Sequence, residues 1–342
     1  MLLKNKWLIF VLLIVSVFCL AGMSVKLIPK VKGYLFNQVN KWDLVDHSEW
    51  KSHFRSVTIK SSSDGSLQNA YFLAATEEKP LLVSLHTWSG DFSQTDPLAD
   101  LADKHEWNYI HPDFRGPNWT KDACLSSLVI SDIDDAIQYA IEHSSVDIKN
   151  IFIVGVSGGG YTTLGSYLRT QHRIKRFISW VPISDLSAWH NQSLSLNHYN
   201  YAENITACTS SLDGTGEKVK ERSPLYWTFP EKDNGALDIY AGINDGHKGG
   251  GSVPISHSLL FFNRLLHEKG IEERKVDDST AIDLLTRANR ISQSAEKIGD
   301  RSVIYRNITS EATLTIFDGG HEMLPNYTFG RLIELSKNPI TE

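Results

Sequence analysis

The chain has 342 residues, a net charge of −6, and 41% hydrophobic and 22% charged residues. That is an ordinary globular composition, without the basic footprint of a nucleic-acid binder, so no nucleic-acid partner is expected. One α/β domain of about 200–300 residues would account for most of the length, and no internal repeat or low-complexity tract interrupts it.

Residues 1–30 (MLLKNKWLIFVLLIVSVFCLAGMSVKLIPK) stand apart. Lys4 and Lys6 precede an apolar run from Trp7 to about Val25, long enough for a signal peptide or an uncleaved signal anchor. Cys19 and Ala21 have the small-residue spacing of a cleavage site, which favours removal after Ala21. Lysines flank the run on both sides and leave its orientation open. The expectation is an exported body, periplasmic or extracellular, released or tethered through residues 7–25. Residues 31–52 form a polar, aromatic-sprinkled lead-in, and the main domain runs from 53 to 342.

Within that domain FRSVTIKSS alternates as a strand should, SDG at 63–65 is turn chemistry, and NAYFLAA reads as a second strand. PLLVSL at 80–85 is a continuous apolar run, the mark of a strand covered on both faces. A short strand follows at Trp107–Ile110. In PDFRG just beyond it, Asp113 and Arg115 read as a turn-stabilising pair. The period then changes. Ile133, Ala136, Ile137, Ala140 and Ile141 fall on one helix face, with Ser131 as the expected N-cap. NIFIVG is the next strand and a helix follows from Gly158. FISWVPI (177–183), ALDIYAGI (236–243) and ATLTIF (312–317) are further strands, while SHSLLFFNRLL and FGRLIELSK read as helices. Strands alternating with helices predict a mostly parallel sheet covered on both faces. Two insertions break the rhythm, residues 186–235 and 269–311, the second carrying a helix in STAIDLLTRANRIS. Insertions above the strand ends of such a sheet usually shape a binding site.

The chemistry centres on Gly155-Val156-Ser157-Gly158-Gly159, a G-x-S-x-G pattern that directly follows a buried strand and opens a helix. A serine hydroxyl is a weak nucleophile and must stand exposed on a sharp turn where a base can reach it. Glycines flank it because a Cβ would clash there. The Gly158 amide, at the positive end of the helix, is the first expected oxyanion donor. The second is the amide of Trp88, in the loop His86-Thr87-Trp88-Ser89-Gly90 after the PLLVSL strand. His86 is either a support for that loop or a residue that merely closes the strand.

A base and an orienting acid should come from two further strand ends. ALDIYAGIND ends in Asp245 and LTIFDGGHEM ends in His321, giving the order Ser157, Asp245, His321. Asp185, after FISWVPI, is the competing acid. Asp318 is expected to cap a turn, and His247, His257 and His267 lack the strand-then-glycine setting of His321. None of the 13 histidines forms H-E-x-x-H, so neither metal nor cofactor is expected. Cys124 and Cys208 have no companion at metal-ligand spacing. Their even count permits a disulfide in an exported protein, and spacing leaves the pairing open.

These residues resemble the α/β-hydrolase superfamily, and more narrowly the catalytic domain of the prolyl oligopeptidase family. The resemblance rests on SSSDGSLQNAYFLA, PDFRG, GVSGGGY, RSPLYW, GIND…VP and GGHEM, over roughly residues 53–337. It implies an α/β-hydrolase fold with Ser157 as nucleophile, Asp245 as acid and His321 as base, acting on peptide or carboxylic ester bonds of a peptide or small-molecule substrate. Two departures stand out. From the short lead-in no β-propeller of the kind that precedes many such domains is expected, and His86 stands where several members place an oxyanion-hole tyrosine, which favours two backbone amides. An esterase acting on acyl or carbohydrate esters, or a hydrolase fold used for binding alone, are the alternatives. Oligomeric state cannot be read from the chain.

Overall fold

The computed structural model describes residues 50–230, 235–247, 250–288 and 295–337. The apolar run at 7–25 and nearly all of the lead-in lie outside them. Among the described residues no helix is long and apolar enough to cross a membrane.

The strands are β1 (Arg55–Lys60), β2 (Leu67–Leu73), β3 (Lys79–Leu85), β4 (Asn108–Pro112), β5 (Val146–Val156), β6 (Arg176–Trp180), β7 (Ala236–Gly242), β8 (Lys297–Ile298), β9 (Arg301–Ile308) and β10 (Ala312–Phe317). They form one sheet in the order β1-β2-β4-β3-β5-β6-β7-β10-β9-β8. The stretch from β4 to β10 is parallel throughout, and both ends are antiparallel. The reason is visible in the strands themselves. β3 ends in five consecutive buried residues and β5 in six, so both faces must be covered, which crossover helices do.

Alternate residues divide the core into two layers. Leu81, Val83, Leu85, Ile151 and Ile153 face α2 (Ser127–His143) and α3 (Gly158–Arg169), meeting Ile133, Ala136, Ile137 and Leu164. Leu82, Phe152, Val154 and Ile178 face the other way, toward α1 (Pro97–Lys104) and α9 (Pro325–Lys337), meeting Leu98, Ala102, Phe329 and Leu332. Each of the Val, Leu, Ile and Phe side chains contributes about 1.5–3 kcal/mol by leaving water.

Two local expectations are corrected. α2 begins at Ser127, not after Ser131, because Val129 and Ile130 extend its buried face by a turn. Ser131 sits inside the helix and bonds Ser62 and Ser63. Arg115 does not pair with Asp113. Its guanidinium spans Asp132 (2.6 Å) and Asp64 (2.8 Å), tying the β1–β2 turn to α2, while Asp113 accepts from the Phe92 amide.

The first insertion folds as α4 (Leu186–Ser195), α5 (Tyr199–Thr209), α6 (Glu217–Lys220) and a 3-10 turn at Pro224–Tyr226. A disulfide between Cys208 on α5 and Cys124, ahead of α2, staples this segment to the domain. After α7 (Ser256–Glu268), the second insertion holds α8 (Asp278–Thr286), shorter than the predicted helix, and the unpredicted strands β8 and β9 that extend the sheet beyond β10.

Candidate active site

Because β5, β6, β7 and β10 run parallel, the residues just past their C-terminal ends share one edge of the sheet. Ser157 follows β5, Asp245 follows β7 and His321 follows β10. All three are buried.

Ser157 occupies a backbone conformation that L-residues avoid, φ 58° and ψ −118°. Such strain costs on the order of 1–3 kcal/mol and persists only where the surroundings over-determine it. Here they do. The Ser157 amide is held by the Trp180 carbonyl at 2.9 Å, and its carbonyl accepts from the Tyr161 amide at 2.8 Å. The turn lifts the serine between strand and helix, the geometry a nucleophile elbow requires.

A Cβ added to Gly158 would collide with the backbone of Trp88, first with its amide nitrogen. The start of α3 therefore packs directly on the loop after β3, and the two predicted oxyanion amides are neighbours. As the first residue of α3, Gly158 also has no intrahelical acceptor for its N–H. Trp88 is held by its own carbonyl, which accepts from the Asn118 amide at 2.9 Å.

His86 takes no part in that pair. Its ring stacks on Phe114 at 3.8 Å, with Nδ1 2.9 Å from the Thr87 carbonyl and Nε2 2.9 Å from the Asp113 carbonyl. Burial pushes its pKa below the ordinary value. It is a support that ties the loops after β3 and β4 together, as one of the two sequence readings expected.

In the loops after β7 and β10, His321 Nδ1 lies 2.7 Å from Asp245 Oδ2, and Asp245 Oδ1 accepts from the Val253 amide at 3.0 Å. With Nδ1 carrying the proton toward the carboxylate, the ring's lone pair sits on Nε2. Backbone bonds stitch the two loops into one unit: Ile243 to Phe317, Asn244 to Gly319, and His321 to Gly250. Gly251 fits where it does for want of a Cβ, which would meet Asp245 Oδ1 and, at 2.6 Å, His321 Cβ.

The competing residues are employed elsewhere. Asp185 caps α4 through the Ser187 and Ala188 amides and accepts from the Tyr226 hydroxyl at 2.7 Å. Asp318 lies near Asn244 in the turn, and His267 pairs with Glu272. His257 is a buried joint. Its Nδ1 accepts from the Ser184 amide at 3.2 Å and its Nε2–H donates to Gln192 at 2.7 Å, with burial pushing its pKa down to about 4. Among the described residues no group of three or more His, Cys, Asp or Glu side chains is placed to hold a metal ion.

The sequence reading missed what stands beside the oxyanion loop. Trp88 meets Trp189 of α4 edge-to-face at 4.7 Å, Trp189 stacks on Tyr201 of α5 at 5.0 Å, and Tyr161 lies 5.7 Å from Trp88. The aromatic richness of residues 186–235 was the available signal, but nothing in it indicated which rings meet.

The family model of the prolyl oligopeptidase family matches residues 113–277, a span that holds Ser157 and Asp245. The chain has the α/β-hydrolase fold, and the matched span is similar to that family's catalytic domain. Solved structures with the same fold include a Pyrococcus horikoshii acylaminoacyl peptidase (15% identity, TM-score 0.57, covering 83% of this chain and 40% of that one). A Mycobacterium tuberculosis puromycin-hydrolyzing peptidase (16%, 0.54, 84% and 40%) is similar too. So is a Porphyromonas gingivalis dipeptidyl peptidase 4 (20%, 0.53, 84% and 35%). The chain thus spans about two-fifths of the length of these structures. No curated protein matches it.

Proposed function

We propose that this chain is a serine hydrolase that works through an acyl-enzyme on peptide or carboxylic ester bonds. Supporting the reading are the strained Ser157 turn, the close packing of Gly158 on the Trp88 backbone and the His321–Asp245 pair, all lying past the C-terminal ends of parallel strands of one sheet. Ser157 Oγ attacks the carbonyl carbon while His321 Nε2 takes its proton. The oxyanion settles on the Gly158 and Trp88 N–H groups, and Asp245 stabilises the imidazolium. His321 then protonates the leaving amine or alcohol, the carbonyl re-forms, and the acyl group stays on Ser157. Water reverses the sequence: His321 takes its proton, the carboxylic acid leaves, and the serine regains its hydrogen. The chemistry calls for no cofactor.

The disulfide between Cys124 and Cys208 supports an oxidising compartment, consistent with export directed by the N-terminal apolar run. A panel of nitrophenyl esters and aminoacyl nitroanilides tests the reading and ranks the two bond types. Turnover that disappears in Ser157→Ala is expected. Silence across the panel from folded protein would overturn the reading in favour of a binding role.

A further inference from the structure

On the face of the sheet that α9 covers, β7, β10 and β9 floor a cavity of about 400 Å³, a size within the range of small-ligand sites. Strand register explains which side chains meet there. Asp238 on β7 is paired with Thr313 on β10, and Thr313 with Ile308 on β9. Two residues along, Tyr240 is paired with Thr315 and Thr315 with Arg306. Paired and alternate residues share a face, so a carboxylate and a guanidinium arrive on the same side, two strands apart. Tyr327 and Arg331 of α9 line the cavity from above, whereas Ser157, Asp245 and His321 do not border it.

Two polar atoms in this cavity are left over. Asp238 is 1% exposed, and its Oδ1 accepts from Arg176 Nη1 at 3.3 Å. The Thr313 hydroxyl lies nearby and Arg331 Nε is 3.8 Å from Oδ2, but Oδ2 accepts no hydrogen bond among the described residues. Arg306 donates from Nε to Thr315 Oγ1 at 3.1 Å and from Nη1 to Glu296, while its buried Nη2 donates to none of them. The two side chains are close enough to interact electrostatically. Buried polar atoms without partners are costly, charged ones most of all.

We propose that this cavity binds a free α-amino acid with an apolar side chain. Its ammonium group donates to Asp238 Oδ2 and its carboxylate accepts from Arg306 Nη2, both of them charge-assisted bonds. The charge of the lining agrees. Asp238, Glu296 and Glu334 supply three carboxylates, and Lys297, Arg306 and Arg331 supply three cations, a balance that favours a zwitterion over a net cation or anion. Tyr240 and Tyr327, edge-to-face at 5.8 Å, offer apolar surface to the side chain, as does Ile308, which is exposed at the mouth. The site stands apart from the catalytic residues and does not rest on the hydrolase reading.

The test is calorimetric titration of the full chain, as wild type and as Ser157→Ala, with L-leucine and L-phenylalanine. Isoamylamine, which is leucine without its carboxylate, and 4-methylpentanoate, which is leucine without its ammonium, are titrated alongside. Saturable binding of both amino acids, equal in the two proteins, is expected, with each analogue roughly tenfold weaker or more. Asp238→Asn and Arg306→Gln should each weaken leucine binding by a similar factor while the fluorophosphonate-reactive fraction stays unchanged. No binding to folded wild type overturns the proposal, as does an analogue that binds as tightly as leucine, or an unmoved affinity in a folded cavity variant. Binding lost in Ser157→Ala, or on probe labelling of wild type, would put the ligand at the active site and overturn it too. Should neither cavity variant fold, the analogue series on wild type decides alone. A wild type that binds leucine but takes up no probe supports this proposal and removes only the hydrolase reading.

Discussion

Along the rim of the sheet, backbone does the positioning. Ser157 is fixed by amide and carbonyl bonds to Trp180 and Tyr161, and the Asp245 and His321 loops are laced together by main-chain bonds. In the helices of residues 186–227 side chains do it instead. Trp189 and Tyr201 stack, His257 bridges Ser184 and Gln192, and a disulfide anchors Cys208. The geometry of the rim is therefore set by strand ends and tight turns, and the seating of the insertion by side-chain packing that can change residue by residue.

Substitutions should divide along the same line. The largest effect belongs to the rim. Asp245→Asn keeps the shape but disturbs the tautomer of His321, and kcat should fall about 10⁴-fold with an unchanged circular dichroism spectrum. A loss under tenfold would mean that the acid is elsewhere. The disulfide acts on stability rather than chemistry. It closes a loop of 84 residues in sequence separation, for which chain entropy gives about 4.6 kcal/mol. Urea titration of Cys124→Ser/Cys208→Ser should show a loss of that order while Ser157 remains reactive to the probe. Unaltered stability would mean that the staple is redundant.

A smaller effect is read through pH. His257 and His111 are buried and held near a pKa of about 4, against 6.5 for a free ring, chiefly by desolvation. Between pH 6.5 and 4 the unfolded chain binds protons that these rings refuse in the fold, so stability falls as pH drops through that window. Each ring accounts for on the order of 3 kcal/mol across the full range. His257→Gln should flatten this acid limb when urea midpoints at pH 7 and pH 4.5 are compared. An equally steep limb would show that His257 is not one of its sources.

The same division decides what was legible from sequence. Parallel strands buried on both faces announce themselves as apolar runs, and their ends, with glycine beside Ser157 and ahead of His321, mark the site. Where placement depends on long-range packing, sequence is silent. Residues 186–227 fold into helices, yet with Trp189, His190 and Ser193 all buried on α4 they lack a clean polar–apolar period. β9 alternates only weakly, since Arg301 and Arg306 interrupt it, and its role as a partner of β10 depends on an edge that the chain order does not reveal. The contact between Trp88 and Trp189 joins a loop and a helix with no shared motif.

The proposed chemistry requires Ser157 to be the reactive nucleophile of this fold. The most direct measurement is fluorophosphonate labelling followed by mass mapping of the modified peptide, on wild type and Ser157→Ala side by side. One adduct per wild-type molecule at Ser157, and none in the folded variant, is the predicted result. An adduct at another residue, or one that survives the substitution, would contradict it.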